Sequence, residues 1–157
     1  MAVKPVPEGM HTLTPHLVIN GAALAIDYYK QVFGAQELGR HTTPDGRIMH
    51  ALLKIGDSTL MLADEFPGPG CIESAQKLGG SPVVLNLYVP DVDAVWKRAV
   101  DAGAKVAFPL AKQFWGDRYG QLIDPWGQRW ALATHVEDVS RDEMEKRAKE
   151  MFAQMSK

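Results

Sequence analysis

The feature that most limits what this chain can fold into is an order of elements that occurs twice. Residues 12–19 (TLTPHLVI) read as a strand in which Pro15 marks an edge or a bulge. Asn20 follows as a helix cap. Leu24, Ile26, Tyr28, Tyr29 and Val32 give residues 22–32 the apolar stripe of a helix, and Phe33-Gly34-Ala35 ends it. Residues 36–42 form a strand, Pro44-Asp45-Gly46 a turn, and strands 47–55 and 58–63 a hairpin about Gly56-Asp57. Beyond a Gly- and Pro-rich loop at 65–80 the order starts again. A strand at 83–89 leads to a helix that Pro90-Asp91 opens and Gly103 stops, then to strands 105–108, 118–123 and 128–134. Phe33-Gly34-Ala35-Gln36 precedes Ala102-Gly103-Ala104-Lys105 by 69 positions, and Gly56-Asp57 precedes Trp126-Gly127 by 70. Two copies of one β-α-β-β-β module account for this better than coincidence.

Composition narrows the function. The 157 residues are 46% hydrophobic and 23% charged, ordinary values for a folded domain. A net charge of −2 argues against a nucleic-acid partner, which calls for a basic stripe. No apolar run is long enough to span a membrane, and the first residues lack the apolar core of a signal peptide, so a cytoplasmic protein is expected. Cys71 is the single cysteine, which excludes a disulfide. Ser140 and Glu143 form a capping box for a tail helix whose Met144, Ala148, Met151, Phe152 and Met155 repeat every 3.6 residues. That stripe must be covered, and a homodimer is the expectation.

Several strings carry a resemblance. They are Thr14-Pro15-His16-Leu17, Ala25-Ile26-Asp27-Tyr28-Tyr29, Pro44-Asp45-Gly46-Arg47-Ile48-Met49-His50-Ala51, Trp115-Gly116-Asp117-Arg118-Tyr119-Gly120 and Asp124-Pro125-Trp126-Gly127. With the doubled β-α-β-β-β order, the chain resembles the vicinal oxygen chelate superfamily, which includes glyoxalase I, extradiol dioxygenases, fosfomycin-resistance transferases and bleomycin-binding proteins. It is most similar to the PhnB-like branch. The resemblance implies an α+β fold in which two βαβββ modules, 12–64 and 82–136, form an open cup within a domain spanning 12–136. An amphipathic helix at 138–156 follows.

It also implies where a divalent metal would sit: on one inward residue from the first and last strand of each half. Those places fall on Thr14, Met61, Val84 and Ala131, none of them an ordinary ligand. His16 shares a face with Thr14, and Asn86 is only a weak ligand. No cofactor is therefore expected, a divalent metal held through His16 and His50 being the alternative.

The residues that could carry chemistry follow from type and position. His50 sits mid-strand with Leu52 and Lys54 on its face, and is a candidate general base near neutral pH. In the string 114–120, Trp115 and Tyr119 offer flat contact, Arg118 a fork for an anion, Asp117 an orienting acid, and the flanking glycines close backbone approach. His16, Met61, Tyr88 and Trp130 are candidate cavity walls, although for Met61 and Trp130 a place in the core is the stronger reading. His135 and Glu137 read as a solvated edge. The expected function is metal-free binding of a small organic or anionic molecule in the cup, with a resistance or sequestration role. The alternative is an isomerase, lyase or dioxygenase-like enzyme, with His50 as base or with a metal.

Overall fold

Gly56 turns the chain at a φ of 59°, and the hairpin it closes joins β3 (Ile48–Ile55) to β4 (Ser58–Asp64). The computed structural model describes residues 3–155. β1 (His16–Ile19) runs parallel to β4, and β2 (Gln36–Thr42) runs antiparallel to β3, giving a four-stranded sheet in the order β1-β4-β3-β2. β5 (Val84–Tyr88), β6 (Lys105–Lys112), β7 (Asp117–Ile123) and β8 (Arg129–His135) repeat that order as β5-β8-β7-β6. Each sheet carries the helix that follows its first strand, α1 (Ala22–Phe33) or α3 (Val92–Asp101). The fold is α+β and the doubled module is real. A short helix, α2 (Ala75–Leu78), lies within the 65–80 loop, and α4 (Arg141–Met155) closes the chain. Among the described residues no helix is long and apolar enough to cross a membrane.

Two compact units result. The first runs to Pro82 and takes in Trp126–Gln128; the second comprises Val83–Pro125 and the chain from Arg129. In the first, Ile26, Tyr29 and Val32 of α1 and Ala51, Leu53 and Leu62 of the sheet are fully buried. Trp126 packs edge-on against Tyr28 with ring centroids 5.4 Å apart. The expected Asn20 cap does not form. Gly21 is the N-cap, in the left-handed region, and has no side chain to offer. Asp64 at the end of β4 does the work instead. Its Oδ1 accepts the Gly21 and Ala22 N–H groups at 3.0 and 2.9 Å, and its Oδ2 accepts Ile48 N–H at 2.6 Å. A carboxylate there also suits the positive end of the helix.

β1 begins at His16 rather than at 12. The Pro15 carbonyl still accepts Met61 N–H at 2.9 Å, but Pro15 has no N–H to extend the ladder. β6 is longer than expected, running through Pro109 to Lys112 with register shifts on both sides of Phe108. An edge strand tolerates that proline because its missing N–H need not face a neighbour.

In the second unit Asp91 caps α3 through Ala94 N–H at 3.1 Å. Thr134 accepts Val92 N–H at 2.9 Å and donates to the Val89 carbonyl at 2.7 Å. Only half of the capping box at α4 forms. Ser140 Oγ accepts Glu143 N–H at 3.3 Å, while the Glu143 carboxylate turns to Arg147 at 2.9 Å. Arg147 also donates to Glu137 at 2.8 Å, which ties α4 to the segment after β8. No α4 residue is buried, and Phe152 and Met155 stay exposed.

Candidate functional site

Directly paired residues on neighbouring strands share a face of a sheet, and neighbours along a strand do not. Thr134 reaches the first turn of α3, Arg118 donates to Asp93 of α3 at 2.6 and 2.7 Å, and a Cβ on Gly120 would meet the Trp96 ring at 2.6 Å. The face of the second sheet holding Arg118, Gly120, Trp130 and Thr134 is therefore the α3 face. The register Tyr88↔Ala133↔Tyr119 and Asp117↔His135 puts Tyr88, Asp117, Tyr119 and His135 on the opposite one.

That open face is organised by Asp117, which is 3% exposed. Its Oδ2 accepts the Tyr88 hydroxyl at 2.7 Å and the Trp115 indole N–H at 3.0 Å. Its Oδ1 lies 2.7 Å from His135 Nδ1, and the other nitrogen of that ring is 2.9 Å from Asp138. Burial alone would raise the Asp117 carboxyl, but the hydrogen bonds from His135, Tyr88 and Trp115 outweigh it and hold the group below the usual carboxylate range. The Asp138 and Asp117 partners raise His135, and the bond to Asp117 raises the Tyr88 phenol.

The rings continue from this hub. Trp115 stands edge-on to Phe114 at 5.0 Å and to Tyr119 at 5.4 Å, and Tyr119 neighbours Phe108 at 6.3 Å. The Tyr119 hydroxyl accepts Gln121 Nε2 at 2.6 Å, and Gln121 Oε1 accepts Arg129 at 3.3 Å. Both oxygens of Asp117 and the polar tips of Tyr88 and Trp115 are thus committed inward. Tyr88 remains 60% exposed.

Four sequence expectations change. Arg118 is not oriented by Asp117: the two are consecutive in β7 and point to opposite faces, and Arg118 pairs with Asp93. Trp130 is not a cavity wall, since it lies on the α3 face, 4% exposed, donating to Asp124 at 2.9 Å. The glycines of 114–120 serve internal packing rather than a ligand. A Cβ on Gly116, at φ 101°, would sit 2.0 Å from the Glu137 carbonyl oxygen, and Gly120 makes room for Trp96. His135, read from sequence as a solvated edge, is part of the hub. The period of two from Ala131 through Ala133 to His135 is the signal that leads to it.

In the first unit Asp64 reaches the first turn of α1, so the α1 face of the sheet is that of Asp64 and Leu62. His16, Met61 and Leu52 are in register on the other face, as is His50, which pairs with His41 of β2. The His16 and His50 rings meet edge-on at 5.8 Å. Burial, and then the neighbouring His50, lower the His16 pKa.

The divalent metal implied by the resemblance does not fit its four places. The Thr14 hydroxyl donates to the His11 carbonyl at 3.3 Å; Met61 offers a thioether, and Val84 and Ala131 offer hydrocarbon. Among the described residues no three His, Cys, Asp or Glu side chains gather as a metal-holding group.

Comparison with known proteins adds kinship. Residues 10–132 match the family model described as the Glyoxalase/Bleomycin resistance protein/Dioxygenase superfamily. The uncharacterized protein Mb0911c of Mycobacterium bovis is 47% identical over 135 residues, which are 85% of this chain and 89% of that protein. Among solved structures, TioX from Micromonospora superposes with a TM-score of 0.62 at 27% identity, over 80% of this chain and 99% of that one. A PhnB protein from Bacillus cereus gives 0.64 at 17% identity, over 79% and 99%, a likeness of fold alone.

Proposed function

The chain belongs to the glyoxalase/bleomycin resistance protein/dioxygenase superfamily, and from that membership we propose that it binds a small, flat organic molecule without a metal. The ligand lies against the open face of the second sheet, on Tyr88, Trp115 and Tyr119, with Asp117 as the residue that positions them. One observation carries this reading. Asp117 takes the polar tips of both Tyr88 and Trp115, which fixes two aromatic planes and spares a ligand the work of ordering them. Aromatic pairs contribute about 0.5–1.5 kcal/mol beyond area burial, so two or three fixed rings suffice for specific stacking.

Binding is favoured over proton transfer here. Asp117 has both oxygens engaged, and the Tyr88 phenol is pushed up, further from ionising at neutral pH. The same reading takes residues 12–136 as the binding domain, in modules 12–64 and 82–136, followed in the chain by α4, which starts at Arg141 rather than at 138; position 156 of the expected helix lies outside the described residues. It takes the protein as a cytoplasmic homodimer, with a sequestration or resistance role. Val106 and Phe108, more than two-fifths exposed on edge strand β6, support a partner copy.

Thermal shift against a panel of planar aromatic compounds tests the proposal, since a ligand that binds only the folded form raises its stability. At least one compound should raise Tm in the presence of a strong chelator. The rise should shrink in Trp115→Leu and in Tyr88→Leu, and shrink in part in Tyr88→Phe, which keeps the ring but loses the bond to Asp117. No rise with any compound, or an equal rise in both leucine variants, overturns it.

A further inference from the structure

We propose that His16, His50 and Met61, all in the first unit, form a site for a soft monovalent metal ion of the copper(I) type. The two histidines belong to β1 and β3, strands that are not neighbours, because β4 runs between them. Their rings nevertheless meet at 5.8 Å with planes 78° apart. The register explains how. His16 and Leu52 are both paired with Met61 of β4, and His50, two residues before Leu52, lies on the same face of the sheet. Met61 shares their face.

The separation is one that a single ion spans. Two imidazoles on one metal at about 2.0–2.1 Å place their ring centroids roughly 5–6.5 Å apart. The donor set selects the ion. Two imidazoles and a thioether suit copper(I), whereas hard divalent ions want carboxylate or water oxygens. Thr14, Val84 and Ala131 take no part, so this is not the arrangement implied for the family's divalent metal.

The test is an anaerobic copper(I) titration of the full chain against a chromophoric competing chelator. It uses a Cys71→Ser background, because Cys71 is an exposed free thiol and itself a soft ligand. One ion should bind per chain. Affinity should fall about tenfold or more in His16→Ala and in His50→Ala, fall less in Met61→Leu, and stay unchanged in Tyr88→Leu, which disables only the aromatic face. Silver(I), a redox-silent surrogate, should perturb the imidazole NMR signals of His16 and His50 alone. If either alanine variant fails to fold, His16→Gln or His50→Gln replaces it. Undiminished binding in the histidine variants, silver shifts centred on His11 or His41, or tighter binding of zinc(II) than of copper(I) would each overturn the assignment.

Discussion

Tyr88 and Asp117 join across a strand that lies between them: the phenol of β5 donates to the carboxylate of β7 at 2.7 Å over β8. The residue beneath the bridge is Ala133, the register partner of Tyr88, fully buried. Only a methyl there leaves room. Ala133→Leu should force Tyr88 off Asp117 and destabilise the fold by about 1–3 kcal/mol, the usual penalty of overpacking. Urea unfolding measures the loss, and a rise in Tyr88 hydrogen exchange locates it.

The His135–Asp117 contact predicts a pH window. The raised His135 contributes stability that is full below its ordinary value near 6.5 and is lost as pH climbs through the raised value. The lowered Asp117 contributes stability that is full above the ordinary carboxylate value and is lost as pH falls through the depressed one. The contact is therefore strongest in mildly acidic solution. His16, whose pKa is lowered, acts in the opposite sense: its protonation opposes folding, so stability is lost as pH falls from the ordinary value near 6.5 through the lowered one. Comparing unfolding midpoints of wild type and His135→Asn from pH 5 to pH 9 isolates the first effect: the stability advantage of wild type should shrink as pH rises.

Two glycines in strands should respond oppositely to alanine. At Gly120 a Cβ meets the Trp96 ring at 2.6 Å and the backbone of Leu110 at 2.9 Å, so Gly120→Ala should cost about 1–3 kcal/mol. At Gly39 nothing lies within 4 Å and the backbone φ is not positive, so Gly39→Ala should leave stability level or raise it by about 0.4–1 kcal/mol. Chemical denaturation of the pair under one set of conditions distinguishes them.

Thr59 holds a buried hydroxyl with no hydrogen-bond partner among the described residues. Replacing an unsatisfied group by an apolar one of the same shape removes a desolvation penalty. Thr59→Val should therefore stabilise the protein by about 1 kcal/mol, read as a higher thermal midpoint. A drop would mean that the hydroxyl has a partner in solution.

Asp64 accepts from three backbone N–H groups, two of them at the start of α1. Asp64→Ala should cost about 1–3 kcal/mol, and Asp64→Asn less, because the amide oxygen keeps part of the cap. Helix fraying at Gly21 and Ala22, followed by amide exchange, should accompany the loss.

Turn chemistry made most of the fold readable in the sequence. Gly56-Asp57, Asp91 and Gly103 mark element ends through local backbone preference, and each is an element end in the structure. What escaped was non-local. The cap of α1 comes from a residue more than forty positions away, which no window around Asn20 contains. Asp117 and Arg118 invite reading as a pair because they adjoin, yet adjacency in an extended strand sends side chains apart, and their true partners lie on β5, α3 and β8. His135 escaped because an apolar run that ends in one polar residue looks like a strand running out into solvent.

Ala63 and Ala133 stand 70 positions apart, the offset of the repeat itself. In each sheet the last strand thus carries an alanine toward its end, on the face away from the helix. Side chains of the two flanking strands meet on that face, two imidazoles in one copy and a phenol with a carboxylate in the other. One backbone plan, used twice, carries a different chemistry in each copy.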